Sequence, residues 1–578
     1  MSASAGVRYE PHEKPPHALA AGLGAQVVLL IIAGIMITPL VVARAAGLTA
    51  AETSWLVFAA LLAAGLSTWL QMNRLGIIGS GYVLFVGSNV AFVSVATAAI
   101  KAGGLPLLAS LGAFSALVTF LFTWKLGALR RILTPAVGGT VMMLMALSVA
   151  PVVWGMLKKA PPAFQSGSAL PAVMVCTIVP IVLVSLFAKG MLRLWAPLIG
   201  VAVGTVISAG FGLVDGSALA AAPWIGLPVI GWPGVSLEFG PEFWALLPAF
   251  AMISMVACIE TFADSISVQR SSHREEQPID FRRVQGSINA DGAGSFIAAL
   301  LGTVPNTVYS ASVSVMELTG VAARRVGAWG GLFLVLLAFS PKVAAAVAAV
   351  PSIVAGSYIF VLLSMLFGHG VRMVAEGDLA FEEGLAVFLG FWVGIGFQGG
   401  FLFNERLPEW ANIFLSNGTT SGGLTAMLLM GLLSLRQRSR DHLHVPLEPR
   451  SIATLRPVVQ AFARRLGWDA TAENRLMLAC EEAMLFLLEA REGDGADKAP
   501  GQVHVRFTNV QGEAEAEFVC APTGVNIEAA AAAMPAAGDA ADPGIALSLR
   551  LLRGMTRELR HLQYHGVDYL TFKVDSRC

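Results

Sequence analysis

The chain has 578 residues, of which 56% are hydrophobic and 13% are charged. Soluble domains carry about 25% charged residues, so an ordinary water-soluble protein is excluded. Lys+Arg and Asp+Glu balance at 38 each, and without a basic excess no nucleic-acid partner is expected.

Residues 1–19 form a polar tail with Pro11, Pro15 and Pro16. It lacks the basic start, apolar core and small-residue cleavage site of a signal peptide. Residues 20–435 follow as a membrane domain, a succession of apolar runs near 23–42, 52–70, 76–100, 104–124, 133–157, 170–188, 194–212, 243–266, 291–309, 310–322, 326–350, 352–371, 384–404 and 413–435. A bilayer-crossing helix needs roughly 20 apolar residues, so these runs predict fourteen spans. A short basic linker, 436–445, leads to residues 446–578, where charge is ordinary and no run can cross a bilayer. The predicted fold class is an α-helical polytopic membrane protein with a cytoplasmic α/β domain. Cys176, Cys258, Cys480, Cys520 and Cys578 are too scattered for a disulfide framework or a metal site, and no cofactor is expected.

Lys and Arg set the orientation, because loops rich in them stay in the cytoplasm. Even-numbered connections carry thirteen and odd-numbered ones six. Both termini are therefore expected in the cytoplasm of a cell whose inner membrane holds the protein. The third and tenth segments occupy matching places in two halves of seven. The third is interrupted by Gly79, Gly81, Gly87, Ser88 and Asn89, and the tenth, Ser310–Gly320, is short and hydroxyl-rich. Since seven is odd, the halves have opposite topologies. Such paired interruptions point to a transporter binding site, although Gly and Ser also serve close helix packing.

Charge is scarce inside the spans, so its positions are informative. Segment eight holds Glu260 and Asp264, spaced i, i+4 on one helical face. A carboxylate in hydrocarbon costs about 2.5–3.5 kcal/mol, so the pair faces a cavity or a partner. It is suited to proton exchange by one group while the other accepts hydrogen bonds; the alternative is a solvated helix end before Arg270. Glu317 lies near Arg324 and Arg325, which are candidate ion partners. No histidine sits mid-span as a proton relay.

With these residues in view, 20–435 resembles the nucleobase–ascorbate transporter family, which includes bacterial uracil and xanthine permeases. Glu260-Thr-Phe-Ala-Asp264 resembles the family's glutamate followed four residues later by Asp or His. The resemblance implies that Glu260 binds the base and that Asp264 supports it or serves proton coupling together with Glu260. Gly87-Ser88-Asn89-Val90-Ala91-Phe92 resembles the family's G-S-[ST]-F-A-F segment, which makes Ser88 and Asn89 site-lining residues. Gln26 matches the Gln of the family's Gln-His pair, whereas Val27 replaces the histidine. The family signature [QEP]-N-x-G-x-x-x-x-T falls on Ala311–Thr319: Thr319 matches, and Ala311, Ser312 and Ser314 depart from it. Substrate contacts there would come from backbone groups around Ala311 or from Ser312.

The resemblance also implies two inverted repeats of seven spans, core and gate domains, and a homodimer. Short strands in spans three and ten would bring half-helix N-termini toward the substrate, where their N–H groups favour polar ligands. Phe92, Phe243 or Phe262 could stack on a planar base or simply pack. The implied partners are a nucleobase and a proton rather than sodium, the lipid bilayer, and a second copy. A sulfate-permease-type anion transporter is the alternative, and Glu260 argues against it.

Residues 446–578 are expected to form helices at Ile452–Leu466, Ala472–Arg491, Ile527–Ala536 and Gly544–Leu559. Strands are expected near Val503–Asn509, Ala514–Cys520 and Leu562–Val574. This order resembles the GHKL-type ATPase fold of anti-sigma-factor and histidine kinases. Glu473–Glu482 resembles the N-box helix, and Asp542-Pro-Gly544 the second glycine box. The magnesium-binding asparagine is replaced by Phe486, and Ala521-Pro522-Thr523-Gly524 lacks the base-reading aspartate. These losses suggest a degenerate regulatory or dimerisation module, with a cytoplasmic regulatory protein as its partner and a membrane-anchored signalling protein as a further alternative.

Overall fold

The computed structural model describes residues 7–129, 135–158, 169–214, 217–228, 230–274, 280–376, 381–402, 406–408, 415–436, 441–492, 502–510, 513–520, 551–564 and 567–575. The chain divides into two compact units, Met1–Arg274 with Arg283–Met430, and Gly431–Cys578 with Glu275–Arg282. The first unit begins with α1 (His17–Ala46), α2 (Ala50–Met72), β1 (Val86–Ser88), α3 (Val93–Leu129), α4 (Pro135–Lys158), α5 (Ala169–Phe187), α6 (Met191–Leu194), α7 (Ala196–Gly210) and α8 (Ser217–Ala221). It continues with α9 (Pro241–Ser271), α10 (Phe281–Leu300), β2 (Asn306–Val308), α11 (Ala311–Thr319), α12 (Arg324–Ala338), α13 (Pro341–Ala348), α14 (Ser352–Glu376) and α15 (Phe381–Gln398), and ends in a helix at Gly418–Arg436.

Each of the fourteen apolar segments falls at least partly on helix. Among the described residues, seven helices are long and apolar enough to cross a bilayer. The pair α12 and α13, bent by 78°, makes an eighth. The outer surface is apolar in a way water would not tolerate: α5 exposes Val175, Val179, Leu183, Leu186 and Phe187. A face of that kind belongs against lipid.

Local chemistry sets the element boundaries. Thr49 and Glu52 form a reciprocal capping box that starts α2. The α3 run of 37 residues would extend about 55 Å if straight, well beyond the hydrocarbon core. Left-handed Gly104 (φ 70°) and then Pro106 break it where segments three and four meet. α10 starts at Phe281, ahead of the stretch read as segment nine. Two of the polar residues that hide this start bond internally: Ser287 Oγ donates to Gln71 Oε1 at 3.1 Å and Asn289 Nδ2 to the Ile77 carbonyl at 2.9 Å.

The second unit is a five-stranded antiparallel sheet in the order β3-β4-β5-β7-β6, with β3 at Asp441–Pro446, β4 at Gln502–Val510, β5 at Glu513–Cys520, β6 at Glu558–Tyr564 and β7 at Val567–Val574. Alternate residues Val503, Val505, Phe507, Ala514, Ala516 and Phe518 point into one core with Leu570 and Phe572. Helices Ile452–Arg465 and Ala470–Glu492 contribute most of the rest of that core.

Two sequence expectations are corrected here. The strand β3 occupies part of the stretch read as a linker; its alternation of His442, Leu443, His444 and Val445 is too short to stand out from the flanking charges. The expected final strand Leu562–Val574 is a hairpin of β6 and β7, with Tyr564 opposite Val567, so the helix expected to reach Leu559 gives way to strand by Glu558. Only Leu551–Met555 of that helix is described as helical. The expected helix Ile527–Ala536, Ala521–Gly524 and Asp542–Gly544 lie outside the described residues.

Candidate functional site

The two interrupted segments meet. β1 and β2 pair antiparallel with Val86 opposite Val308, Gly87 opposite Thr307 and Ser88 opposite Asn306. The pairing extends at both ends, with the Tyr309 N–H donating to the Phe85 carbonyl at 2.9 Å and the Asn89 N–H to the Pro305 carbonyl at 3.0 Å. Two strands of three residues cannot hold together unaided, and side chains brace them. The Tyr309 hydroxyl donates to the Ser88 carbonyl at 2.8 Å. Ser312 Oγ donates to the Tyr309 carbonyl at 2.7 Å and accepts from the Phe85 N–H at 2.9 Å. Ser88 Oγ donates to the Ile35 carbonyl at 3.1 Å, and Thr68 Oγ1 accepts from the Val86 N–H at 3.1 Å.

Gly87 is there because nothing larger fits. A Cβ at that position would lie 2.6 Å from Ile35 Cγ1 and 2.9 Å from Tyr309 Cζ. Each strand then runs into a helix start. Asn89 Oδ1 accepts from the Ala91 N–H at 2.9 Å and caps the turn that leads into α3. On the other side Ala311 opens α11, and its N–H has no hydrogen-bond partner among the described residues. Two helix N-termini are thus delivered beside a short backbone crossover.

α9 supplies the charge. Asp264 Oδ2 accepts from Ser310 Oγ at 2.9 Å, which ties it to the residue before α11. Glu260, one turn earlier, is only half-buried and makes no hydrogen bond to any described residue. A third carboxylate joins them, at the very edge of segment nine. Asp291 on α10 is buried, and its Oδ2 accepts from Thr261 Oγ1 at 3.2 Å. Its Oδ1 is buried without a partner among the described residues. The signal was present, since an acid embedded in Ile288–Leu301 stands alone among apolar and small residues.

The residues singled out from sequence therefore separate by role. Glu260, Asp264 and the backbone at Ala311 come together with free or shared polar capacity. Ser88, Asn89 and Ser312 lie at the same crossover, where the side chains of Asn89 and Ser312 bond its own backbone and Ser88 Oγ ties it to the Ile35 carbonyl of α1. Gln26 is half-buried on α1, with no hydrogen bond to these residues among those described. Phe92 packs on Phe250 with ring centroids 5.5 Å apart, and Phe243 sits among Phe114, Phe239 and Trp244. Both are core packing. Glu317 is exposed at the end of α11 and accepts from Ser271 Oγ at 2.7 Å. Its anticipated partners are engaged elsewhere, Arg324 with the Gly81 carbonyl at 2.6 Å and Arg325 with the Pro15 carbonyl at 2.7 Å.

A family model described as "Permease family" matches residues 20–404, the stretch that contains the whole crossover and all three carboxylates. The chain belongs to this permease family. The xanthine permease XanQ of Escherichia coli strain K12 is 31% identical over 437 residues, covering 73% of this permease and 92% of XanQ. The nucleobase transporter PlUacP of Paenibacillus larvae is 27% identical over 436 residues, covering 74% of this chain and 97% of that one. Among solved structures, the murine Slc26a9 anion transporter in the inward-facing state overlaps with a TM-score of 0.48 at 14% identity, covering 75% of this permease and 71% of that chain.

The family match ends before Gly431–Cys578, the main part of the second unit. There, the resemblance to GHKL ATPases would call for magnesium and ATP, and the residues do not fit. Phe486, the residue that this resemblance would set at the metal-binding asparagine, is fully buried in the apolar core.

Proposed function

We propose that this multi-pass membrane protein is a nucleobase permease of the bacterial inner membrane, moving a xanthine- or uracil-like base inward with protons. Both termini face the cytoplasm, and a core and a gate domain alternate access to the site within a homodimer. The observation that carries this reading is Glu260, a half-buried carboxylate with no hydrogen-bond partner among the described residues, on the helix that packs against two helix starts and a two-stranded crossover. A planar base presents alternating N–H and C=O groups. Glu260 accepts from adjacent ring N–H groups, and the Ala311 N–H donates to a ring carbonyl. Hydrogen bonds to a charged group contribute about 1.5–3 kcal/mol each, enough to discriminate bases by their donor pattern.

Proton coupling is assigned to Asp264, with Asp291 behind it. The three carboxylates interact electrostatically, so a proton taken by one changes the charge that the others present to the base. The second unit, 446–578, is a regulatory module that engages a cytoplasmic protein.

Glu260→Gln is expected to abolish uptake of every base while the protein remains folded and present in the membrane. Normal uptake by that variant would sink the reading. Asp264→Asn is expected to retain base exchange and to lose accumulation driven by a pH gradient. If that variant still accumulates base against its gradient, the coupling lies elsewhere. Competition by a panel of purines and pyrimidines at two pH values identifies the base.

A further inference from the structure

At one membrane face the N-terminal stretch Val7–Pro16 lies across the ends of α9 and α11. The Arg8 and Tyr9 N–H groups donate to the Gly320 carbonyl at 2.6 and 3.2 Å, the Ala322 N–H returns to the Tyr9 carbonyl at 2.8 Å, and the Arg324 N–H donates to Pro11 at 3.2 Å. Arg274 locks this strap. Its Nη1 and Nη2 donate to Glu13 at 2.9 and 2.7 Å, and it also donates to the Val7 and Arg8 carbonyls at 3.2 and 2.9 Å. Those guanidinium donors hold the Glu13 carboxyl below its ordinary range.

Between the strap, the first turns of α1 and the end of α11 runs a groove of about 990 Å³. Its polar end carries Arg8 and Lys14, both exposed and neither bonded through its side chain to a described residue. Glu13 also lines it, but Arg274 already holds that carboxylate. The other end is apolar. Leu19 and Leu23 sit one turn apart on α1, Leu318 lies opposite, and Leu19 and Leu318 are 41% and 43% exposed. α1 is a bilayer-crossing helix, so these leucines stand where headgroups give way to acyl chains.

We propose that this groove is a binding site for an anionic phospholipid, its headgroup phosphate between Arg8 and Lys14 and an acyl chain along Leu19, Leu23 and Leu318. Free cations above exposed leucines, at the first turns of a membrane helix, match a molecule with a phosphate above a hydrocarbon tail. A soluble phosphate or an acidic peptide would use the cations and leave the leucines uncovered. Each cation near such a surface strengthens retention about fivefold, and the pair about 30-fold.

The test is native mass spectrometry of the full-length protein released from micelles doped with phosphatidylglycerol or with phosphatidylcholine. The wild type is expected to hold one phosphatidylglycerol that phosphatidylcholine does not replace and that millimolar inorganic phosphate does not displace. Arg8→Ala/Lys14→Ala is expected to hold it about 30-fold more weakly, and each single variant about fivefold. The single variants serve if the double one does not fold. Equal retention of the two lipids by the wild type, or undiminished phosphatidylglycerol in the variants, would overturn the proposal. Displacement by inorganic phosphate would do the same, pointing to a soluble anion.

Discussion

Glu260 and Gly87 mark two ways in which one residue can make a site. In the proposed site Glu260 does so by lacking a hydrogen-bond partner among the described residues, and Gly87 by lacking a side chain. The space at Gly87 is bounded by Ile35 and by the Tyr309 ring, neither of which can move without loosening β1 against β2. Gly87→Val is therefore expected to lower the thermal midpoint of the detergent-solubilised protein by several degrees, as overpacking of about 1–3 kcal/mol implies. Ile35→Ala in the same chain should recover part of that loss. Tyr309→Phe is a milder test, because it keeps the ring and removes only the hydroxyl donated to the Ser88 carbonyl. A buried carbonyl left without its donor costs about 1–3 kcal/mol. Base binding, followed by equilibrium titration, should weaken by about tenfold or more, while the protein remains folded.

At the scale of elements, close glycine contacts fix how the helices meet. A Cβ on Gly139 of α4 would lie 2.4 Å from the Gly370 carbonyl of α14, and one on Gly370 would lie 2.6 Å from the Gly139 carbonyl. These two helices are the fifth and twelfth segments, equivalent places in the two halves, and small residues let their backbones touch. Gly370→Leu is expected to separate them and to deplete folded protein from the membrane, as seen by fluorescence-detected size exclusion. Much of this architecture was legible from sequence. The helices announced themselves by runs of apolar residues, and the interruptions at Gly87–Asn89 and Ser310–Gly320 marked where the chain unwinds. What stayed hidden was carried by polar residues with internal partners. Ser287 and Asn289 made the start of α10 look like a loop, and Asp291 looked like its edge. Ser88 and Ser312 were expected at the site from the family motifs they fall on, and those motifs do not fix where their hydroxyl groups point: Ser312 Oγ bonds the crossover and Ser88 Oγ bonds α1. Hydroxyl direction is decided by neighbours more than 50 residues away, such as Ile35 and Phe85.

Taken whole, the chain joins two units of different character. One excludes water by facing lipid, and the other has an ordinary apolar core in which Phe486 is fully buried. Truncating that side chain, Phe486→Ala, is expected to destabilise the second unit by about 3–5 kcal/mol, read by limited proteolysis of residues 446–578. Calorimetry on the full-length protein should detect no magnesium-dependent ATP binding, and tight binding would revive an ATPase reading.

The crossover between β1 and β2 also bears on how the protein is made. Val86 pairs with Val308, so the first strand enters the membrane long before its partner has been synthesised. Until then those of its N–H and C=O groups that β2 pairs face a medium that supplies no replacement, at several kcal/mol for each group left unpaired. The N-terminal half is thus an incomplete insertion product, dependent on translocon or chaperone shelter until ribosomes reach the second strand. Premature termination between α8 and α9 should leave a fragment that quality-control proteases clear, and supplying the missing half as a separate polypeptide should rescue it.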